Sequence, residues 1–269
     1  MSEMVILGLG YSAGVLARRL ENRGWTVRGT TRDGRGGTLR FDDKVAVAAA
    51  IRSASHILSS VPPAADGQDA VLAEYGELVA LAPARWLGYL SSTGVYGDAG
   101  GAWVDESAAI AGRRAARNAA DAQWGAMRGD VRIFRLPGIY GPGRSAIERV
   151  RDGKAHRVDL PDQIFSRVHV DDIADAMIAS FASDAAGVFN IADDLPASQN
   201  DVIAHACALT GADLPPLIAP DDPSLSGATR AFYAENRRVA NGRAKRLLGW
   251  QPRFPDYRAG LADCLARAV

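Results

Sequence analysis

Gly8-Leu9-Gly10-Tyr11-Ser12-Ala13 fits the pattern GxGxxG/A, between an apolar run that ends at Leu7 and residues of helical periodicity. The pattern predicts a strand, a tight turn and a helix. In such turns the first glycine allows the bend, the second lets the backbone approach a pyrophosphate, and the small third residue allows close helix packing. The free amides that open the helix bind phosphate. We therefore predict a dinucleotide-binding turn whose cofactor-binding residues are Gly8, Gly10, Tyr11, Ser12 and Ala13.

Short apolar runs alternate with helix-like segments along the first half of the chain. The runs are Trp25 to Val27, His56 to Ser59, Trp86 to Leu90 and Val131 to Phe134, and the segments include Ala70 to Ala82 and Arg113 to Met127. This alternation predicts an α/β fold of the Rossmann type, a doubly wound parallel sheet with helices on both faces. We expect a dinucleotide-binding core over residues 1–140, completed by segments near 165–192, and a smaller substrate-binding part over residues 141–269.

The composition excludes several classes of protein. The 269 residues are 48% hydrophobic and 23% charged, with 31 basic and 31 acidic side chains. A sizeable core is expected, without a general attraction to nucleic acid or to an anionic membrane. Apolar stretches such as Val45 to Ile51 are far shorter than the roughly 20 residues that cross a bilayer. Cys207 and Cys264 lack metal-ligand spacing, so we expect no metal site and reduced thiols in a cytoplasmic protein.

The end of the second predicted strand indicates which dinucleotide is bound. It reads Val27 to Arg32, and no carboxylate follows until Asp33. A free ribose 2′-hydroxyl usually meets Asp or Glu at this point, whereas an arginine fork can pair with a 2′-phosphate. We therefore predict NADP(H) in preference to NAD(H), bound by Thr31 and Arg32; alternatively, Arg32 is a solvated loop charge. Asp42 is placed to accept from the adenine amino group, or it is a surface turn residue.

Four stretches together resemble the extended short-chain dehydrogenase/reductases, specifically their NAD(P)-dependent epimerase/dehydratase-like branch. They are the glycine turn, Ser91 to Gly97, Arg135 to Arg144 and Val168 to Ala174. In that family the second hydroxyl residue of an S-[ST]-x-x-V-Y-G stretch hydrogen-bonds the reacting oxygen. The resemblance thus implies a catalytic role for Ser92, with a turn cap as the alternative. It also implies that the cofactor contacts residues at strand ends, namely Ser60, Val61, Pro62, Ser91, Pro137, Gly138 and Ile139.

The acid/base pair of the family, a Tyr and a Lys four residues apart, is absent from this sequence. Family spacing places it at Gly112 to Arg117, where Arg113 and Arg117 keep the spacing of one helix face. Arginine is effectively always protonated and is a poor proton shuttle. Three interpretations stay open: these arginines bind an anionic substrate or a cofactor phosphate, they are only the charged face of a helix, or another phenol, Tyr96 or Tyr140, approaches the nicotinamide.

Relatives in this family hold anionic substrates such as nucleotide sugars in a region that has counterparts here. The resemblance places Arg144 and Arg167 in that region, although Phe165 occupies the position of the family arginine and Arg167 is displaced by two residues. The candidate substrate-binding residues are therefore Arg113, Arg117, Tyr140, Arg144 and Arg167. His169 is interpreted as a structural histidine before a helix.

Three functions are consistent with these residues. The first is an NADP-dependent oxidoreductase that transfers a hydride to or from a small carbonyl, alcohol or sugar-nucleotide substrate held near Ser92. The second is a non-catalytic NADP(H)-binding sensor or regulatory protein, which the missing Tyr and Lys favour. The third is an epimerase or dehydratase that retains its cofactor. The expected partner is a small molecule, with no nucleic acid and no membrane, and the pairing of relatives through two long helices allows a homodimer.

Overall fold

A seven-stranded parallel sheet forms the centre of the structure, a computed structural model that describes residues 2–64 and 67–268. The strands in chain order are β1 (Glu3–Leu7), β2 (Thr26–Thr31), β3 (Leu39–Arg40), β4 (His56–Ser59), β5 (Trp86–Ser92), β6 (Trp103–Val104), β7 (Val131–Leu136), β8 (Gly138–Tyr140), β9 (Arg157–Val158), β10 (Arg167–His169), β11 (Gly187–Asn190), β12 (Leu217–Ile218) and β13 (Arg238–Val239). The central order is β11-β7-β5-β4-β1-β2-β3, which confirms the predicted Rossmann-type fold.

The described residues form ten helices. Some of them cover the central sheet, and others form the later part of the chain. They are α1 (Tyr11–Glu21), α2 (Lys44–Ser53), α3 (Ala70–Ala80), α4 (Ala115–Met127), α5 (Ala146–Arg151), α6 (Val170–Ser180), α7 (Gln199–Thr210), α8 (Gly227–Tyr233), α9 (Gly242–Leu248) and α10 (Tyr257–Ala266). Two short 3₁₀ helices span Arg35–Gly37 and Thr93–Tyr96. Among the described residues, no helix is both long enough and apolar enough to span a bilayer.

The strands are buried on both faces, because alternate side chains enter two separate cores. In β1, Met4 and Ile6 belong to the core that α1 and α6 cover, whereas Val5 and Leu7 belong to the core beneath α2, α3 and α4. Side chains alternate across a strand, so a strand between two helical layers is a continuous apolar run. This explains why the short apolar runs of the sequence were sufficient to predict the sheet.

The later part of the chain packs at the carboxyl edge of the sheet around a third core. This core joins α5, α7 and α10 through Ile147, Ile203 and Leu261. The helix α7 is capped by Ser198, whose side chain accepts from the Asp201 amide at 3.0 Å. The helix α6 begins at Val170, and the buried His169 caps it by accepting from the Asp171 amide.

His56 makes the stability of the fold depend on pH. Its ring packs against Trp25, Trp86 and Phe181, and burial lowers the pKa of His56 to about 4 from an ordinary value of 6.5. As the pH falls below 6.5, the unfolded chain binds this proton and the folded chain does not. Neutral His56 therefore stabilises the folded state above pH 6.5, and this contribution is lost as the pH falls towards 4. The free energy of unfolding should fall by about 2–3 kcal/mol between pH 7 and 4.5.

We expect His56→Asn to remove that part of the pH dependence, as measured by urea denaturation at the two pH values. The pKa of the buried Asp172 is raised by its burial to about 6, and its titration acts in the opposite direction. Wild type and variant both contain Asp172, so its contribution cancels when the change in unfolding free energy with pH is compared between them. Equal slopes in wild type and variant would contradict the assignment to His56.

Candidate functional site

The glycine turn lies where the strand order reverses, between β1 and β4. Gly8 has a φ of +92°, its amide donates to Thr30 Oγ1 at 3.0 Å, and its carbonyl accepts from Ser60 Oγ at 2.6 Å. These bonds to two neighbouring strands hold the bend in place. Ligands of open α/β sheets bind at this reversal, outside the carboxyl ends of the strands.

The turn leaves an open anion site at the start of α1. Gly10 is the N-cap and provides no side-chain cap, and the first helix amide with a backbone acceptor is that of Gly14, 2.8 Å from the Gly10 carbonyl. Within the described chain, the amides of residues 11–13 have no acceptor. A Cβ at Gly10 would meet no atom within 4 Å. Helix amides of this kind bind phosphate, so the residues present fit a dinucleotide pyrophosphate.

Tyr11 contributes to this turn through its backbone rather than its hydroxyl. The hydroxyl donates to the Pro142 carbonyl at 3.0 Å, and burial raises the pKa of Tyr11 to about 12. The Arg144 guanidinium lies 5.7 Å from the centre of the Tyr11 ring. Tyr11 therefore joins the glycine turn to the loop that carries Arg144.

The end of β2 exposes one arginine that has no partner in residues 2–64 and 67–268. Arg32 is exposed and forms no ion pair or side-chain hydrogen bond there, whereas Thr31 Oγ1 lies 2.7 Å from Thr38 Oγ1. Asp42 accepts two hydrogen bonds from Arg40, at 3.0 and 2.8 Å. Both carboxylate oxygens of Asp42 are therefore bonded to Arg40. This favours the surface turn residue over the predicted hydrogen bond to the adenine amino group.

The residues at strand ends that the family resemblance implies as cofactor contacts have different surroundings in the structure. Val61 packs beside the glycine turn, where a Cβ on Gly8 would lie 2.7 Å from Val61 Cγ2, and the next residue, Pro62, is exposed. Ser91 is buried and donates to Asp121 Oδ2 at 2.6 Å. The structure therefore gives the Ser91 hydroxyl an internal partner instead of the predicted cofactor contact.

A cavity of about 360 Å³ lies beyond the ends of β5 and β7. Ser92 and the stretch Pro137 to Ile139 line its floor. Its positively charged side chains are those of Arg113, Arg114, Arg117, Arg144 and Arg237, and Glu235 is its one carboxylate among the lining residues. A concave site with this excess of positive charge concentrates anions.

Ser92 caps a turn and also faces this cavity. Its Oγ accepts from the Gly94 amide at 3.1 Å, as the N-cap of the 3₁₀ helix Thr93–Tyr96. A serine hydroxyl has one donor and two acceptor sites, so this bond leaves the proton of Ser92 available. The two interpretations of Ser92, cap and catalytic hydrogen-bond donor, are therefore compatible.

Arg113 and Arg117 both line the cavity, but they do not share a helix. The helix α4 begins at Ala115, so the predicted common helix face is wrong. Arg113 instead donates to Glu235 Oε1 at 2.7 Å and to the Ala231 carbonyl at 2.6 Å. Although burial acts in the opposite direction, the hydrogen bonds from Arg113 and Arg237 hold the pKa of Glu235 below its usual value.

Arg167 and Tyr140 point away from the cavity. Arg167 is only 8% exposed and donates to the carbonyls of Phe165 and Ala197 at 2.9 and 2.7 Å, while burial lowers its pKa to about 10. The Tyr140 ring packs edge-on against His169, and burial raises the pKa of Tyr140 far above its usual value. The structure thus assigns both residues to packing, in place of the expected substrate contacts.

The described part of the cavity lining contains no free proton shuttle, because its one carboxylate, Glu235, is paired with Arg113 and Arg237 at 2.7 and 2.6 Å. It has no Tyr, Lys, His, Cys or Asp side chain among its described residues. The Tyr96 hydroxyl is buried and donates to Asn190 Oδ1 at 2.7 Å, so this phenol does not reach the cavity either. The unpaired polar groups that the lining offers are therefore the Ser92 hydroxyl and guanidinium groups.

Sequence reasoning missed the wall that residues after 225 contribute. Phe232, Glu235 and Arg237 line the cavity. They belong to no motif, and the Arg237 Nη1 atom reaches the Gly97 carbonyl at 2.7 Å across 140 residues of chain. Only the weak signal of a charged run, Glu235 to Arg238, marks this wall in the sequence.

The fold resembles that of solved proteins over almost their whole length. A functionally unknown conserved protein from Silicibacter pomeroyi is 39% identical, with a TM-score of 0.88, over 100% of this chain and 99% of that one. The human epimerase family protein SDR39U1, solved with NADPH, has a TM-score of 0.78 at 20% identity, over 98% of this chain and 99% of that one. This chain has the fold of an atypical extended short-chain dehydrogenase/reductase.

Two further similar proteins are a protein solved with a sugar nucleotide and a curated reductase. MoeE5, solved with UDP-glucose and NAD, has a TM-score of 0.76 at 20% identity over 98% of both chains. A Streptomyces 3-diazoavenalumate denitrifying reductase is 34% identical over 140 residues, which are 48% of this chain and 45% of that protein. The chain thus matches about half the length of this curated relative. No protein-family model matches the sequence.

Proposed function

We propose that this chain is an NADP(H)-dependent oxidoreductase that reduces a small molecule held in the cavity beside Ser92. The observation that carries the proposal is the open anion site at Gly10 on the same sheet edge as the cavity of about 360 Å³. Supporting evidence comes from the fold, which is shared with proteins solved with NADPH or NAD, and from partial identity to a reductase.

The residues of the chain provide binding and polarisation. A bound reduced nicotinamide would supply a hydride to an electrophilic substrate atom. Gly10 and the following amides would hold the pyrophosphate, and Arg32 would pair with the 2′-phosphate. The Ser92 proton forms a hydrogen bond to the substrate oxygen on which negative charge develops. Since arginine does not release its proton, the proton that completes the product comes from water.

A non-catalytic NADP(H) sensor is the second candidate, and the lack of a proton shuttle in the cavity favours it. Turnover with any member of a panel of small carbonyl compounds separates the two. Epimerisation and dehydration need a base that removes a proton from the substrate, and the lining residues offer only Glu235, which is paired with Arg113 and Arg237 at 2.7 and 2.6 Å. The cavity therefore supports hydride transfer better than either reaction.

Gly10→Ala should weaken NADPH binding roughly tenfold while leaving the fold intact. A Cβ at Gly10 has free space in the protein itself, but it would occupy the space that the pyrophosphate needs. Isothermal titration calorimetry with NADPH and thermal unfolding measure the two effects.

Gly8→Ala is the matched control at the same turn. A Cβ there would lie 2.7 Å from Val61 Cγ2, on a residue with a φ of +92°. This substitution should destabilise the fold by about 1–3 kcal/mol. Unchanged NADPH affinity in Gly10→Ala, or no NADPH binding by the wild type, would contradict the proposal.

Arg32→Ala should lower the affinity for NADPH roughly ten- to a hundredfold and leave that for NADH nearly unchanged. The exposed Arg32 guanidinium makes no internal ion pair in the described chain, and a charge-assisted pair with a 2′-phosphate contributes about 1.5–3 kcal/mol. Titration of both nucleotides against both proteins measures the change. Equal affinities in the wild type would remove the NADP preference, and Arg35→Ala in the same loop serves as the control.

A further inference from the structure

Three arginines that face the cavity have no acidic partner in residues 2–64 and 67–268. They are Arg114, Arg117 and Arg144, whereas Arg113 and Arg237 pair with Glu235 at 2.7 and 2.6 Å. Each guanidinium presents a planar fork of donors that matches the two oxygens of a carboxylate. The Arg117 side chain interacts with that of Tyr89, and the Arg144 guanidinium lies over the Tyr11 ring; neither contact is with a carboxylate, so both arginines keep their full positive charge. Three guanidinium groups without a carboxylate partner in one cavity therefore indicate an anionic ligand.

Another part of the cavity lining is apolar and aromatic. The rings of Phe165 and Phe232 stack with their centroids 4.2 Å apart at an interplanar angle of 17°. Phe165 is 8% exposed, whereas Phe232, at the end of the short helix α8, is 50% exposed. Beside them the lining is completed by Ile139, Ile164 and Val239. An exposed ring that is held flat by a buried ring beneath it is a surface for a planar apolar group.

The size of the cavity limits what can occupy it. Ligand pockets commonly span about 300–1,000 Å³, and this one measures about 360 Å³. Its floor at Pro137 to Ile139 is also where the proposed cofactor ring would lie, which reduces the space left for the substrate. The remaining volume suits a small acid better than a nucleotide with an attached sugar.

We infer that the substrate is a small planar carboxylate, aromatic or conjugated, whose carboxylate binds Arg114, Arg117 and Arg144 and whose flat body packs against Phe232. This inference rests on the proposed function only in taking the cavity as the substrate site. It also agrees with the absence of a proton shuttle. In a conjugated acid, a hydride from the reduced nicotinamide would add to the β-carbon, and the electron pair of the broken C=C π bond would shift towards the carboxylate. The fixed guanidinium charges would stabilise that negative charge until water protonates the α-carbon and leaves hydroxide.

Binding can be measured before any reaction is known. Isothermal titration calorimetry on the full chain, with and without saturating NADPH, compares benzoate, cinnamate and 4-hydroxycinnamate with their methyl esters, and includes UDP-glucose. We expect at least one acid to bind roughly ten- to a hundredfold more tightly than its ester, because the ester loses charge-assisted hydrogen bonds. Higher salt should weaken binding of the acid and leave the ester unaffected.

Single substitutions locate the binding site. Arg114→Gln, Arg117→Gln and Arg144→Gln should each reduce the difference between acid and ester, whereas Phe232→Ala should weaken acid and ester equally. Arg52→Gln on α2 removes an exposed arginine outside the cavity and is the matched control. Thermal unfolding checks that each variant is folded, and the comparison of acid with ester in the wild type needs no variant.

The outcomes separate this inference from the proposed function. If acids and esters bind equally, if none of the acids binds, or if only UDP-glucose binds, the planar carboxylate is excluded even where NADPH binds. If NADPH does not bind but an acid binds through the three arginines, the oxidoreductase proposal fails and the carboxylate site stands. Binding of an acid that is strengthened by NADPH supports both.

Discussion

Replacing Asp121 by alanine is expected to lower the free energy of unfolding by about 3–5 kcal/mol, because it leaves a buried positive charge without its partner. Arg135 and Asp121 are joined at 2.6 Å, with side chains only 4% and 2% exposed. Asp121 Oδ2 also accepts from Ser91 Oγ at 2.6 Å. The substitution therefore breaks three hydrogen bonds between α4 and the central strands, two from Arg135 and one from Ser91, the residue before Ser92.

Asp130→Ala provides the control for this effect. Its ion pair with Arg128 has the same length of 2.6 Å, but the Asp130 side chain is 43% exposed. Partly solvated pairs contribute about 0–1 kcal/mol. Urea denaturation followed by tryptophan fluorescence measures both variants, and equal losses would show that burial of the Asp121 pair adds nothing to stability.

Ser92→Ala should lower kcat for NADPH oxidation by about 10²–10³-fold, the usual effect of removing one hydrogen-bond donor to a developing oxyanion. The Oγ of Ser92 accepts from the Gly94 amide at 3.1 Å, and Ser92 lines the cavity. Initial rates with the best member of a panel of small aldehydes, ketones and conjugated acids measure the effect. The affinity for NADPH should stay unchanged, because no cofactor contact is assigned to this hydroxyl.

Ser92→Thr keeps the hydroxyl and should recover most of the lost activity. Loss of the cap to Gly94 alone would cost about 1 kcal/mol of stability, so thermal unfolding distinguishes a structural from a catalytic defect. Full activity in Ser92→Ala would remove Ser92 from the reaction. If the wild type binds NADPH tightly and oxidises none of it with any compound, the protein is the sensor instead.

The predicted fold was correct because its signals are local. The strand before Gly8, the turn and α1 lie within residues 3–21, and the buried strands β4, β5 and β7 each contain an apolar run. A helix or strand of this kind is encoded by the spacing of apolar residues within one short segment. Ser92, the last residue of β5, lines the cavity and was likewise selected from a single stretch of sequence, although its catalytic role stays a prediction.

The roles of the charged residues were harder to predict, because the role of a charged side chain depends on which partner it contacts in the folded chain. Arg167 and Arg144 were predicted to have the same role, yet one is buried among backbone carbonyls and the other lines the cavity. Arg113 was placed on a helix that begins two residues later. In each case a long-range contact determined the outcome, for example the bond from Arg113 to Glu235 across 122 residues.

The amino acids alone specify the strand–turn–helix opening, the layered α/β architecture and the lack of a Tyr/Lys pair, because periodicity and residue identity can be read within a few turns of chain. Tertiary packing specifies which guanidinium groups meet a carboxylate and which are left to face the cavity. The short pairing of β13 with β6, which aligns Arg238 with Trp103, brings the wall around Phe232 and Arg237 to Ser92. Strand pairs and ion pairs of this kind depend on the path of the whole chain and on which charged groups are desolvated by folding. No single segment of the sequence determines either.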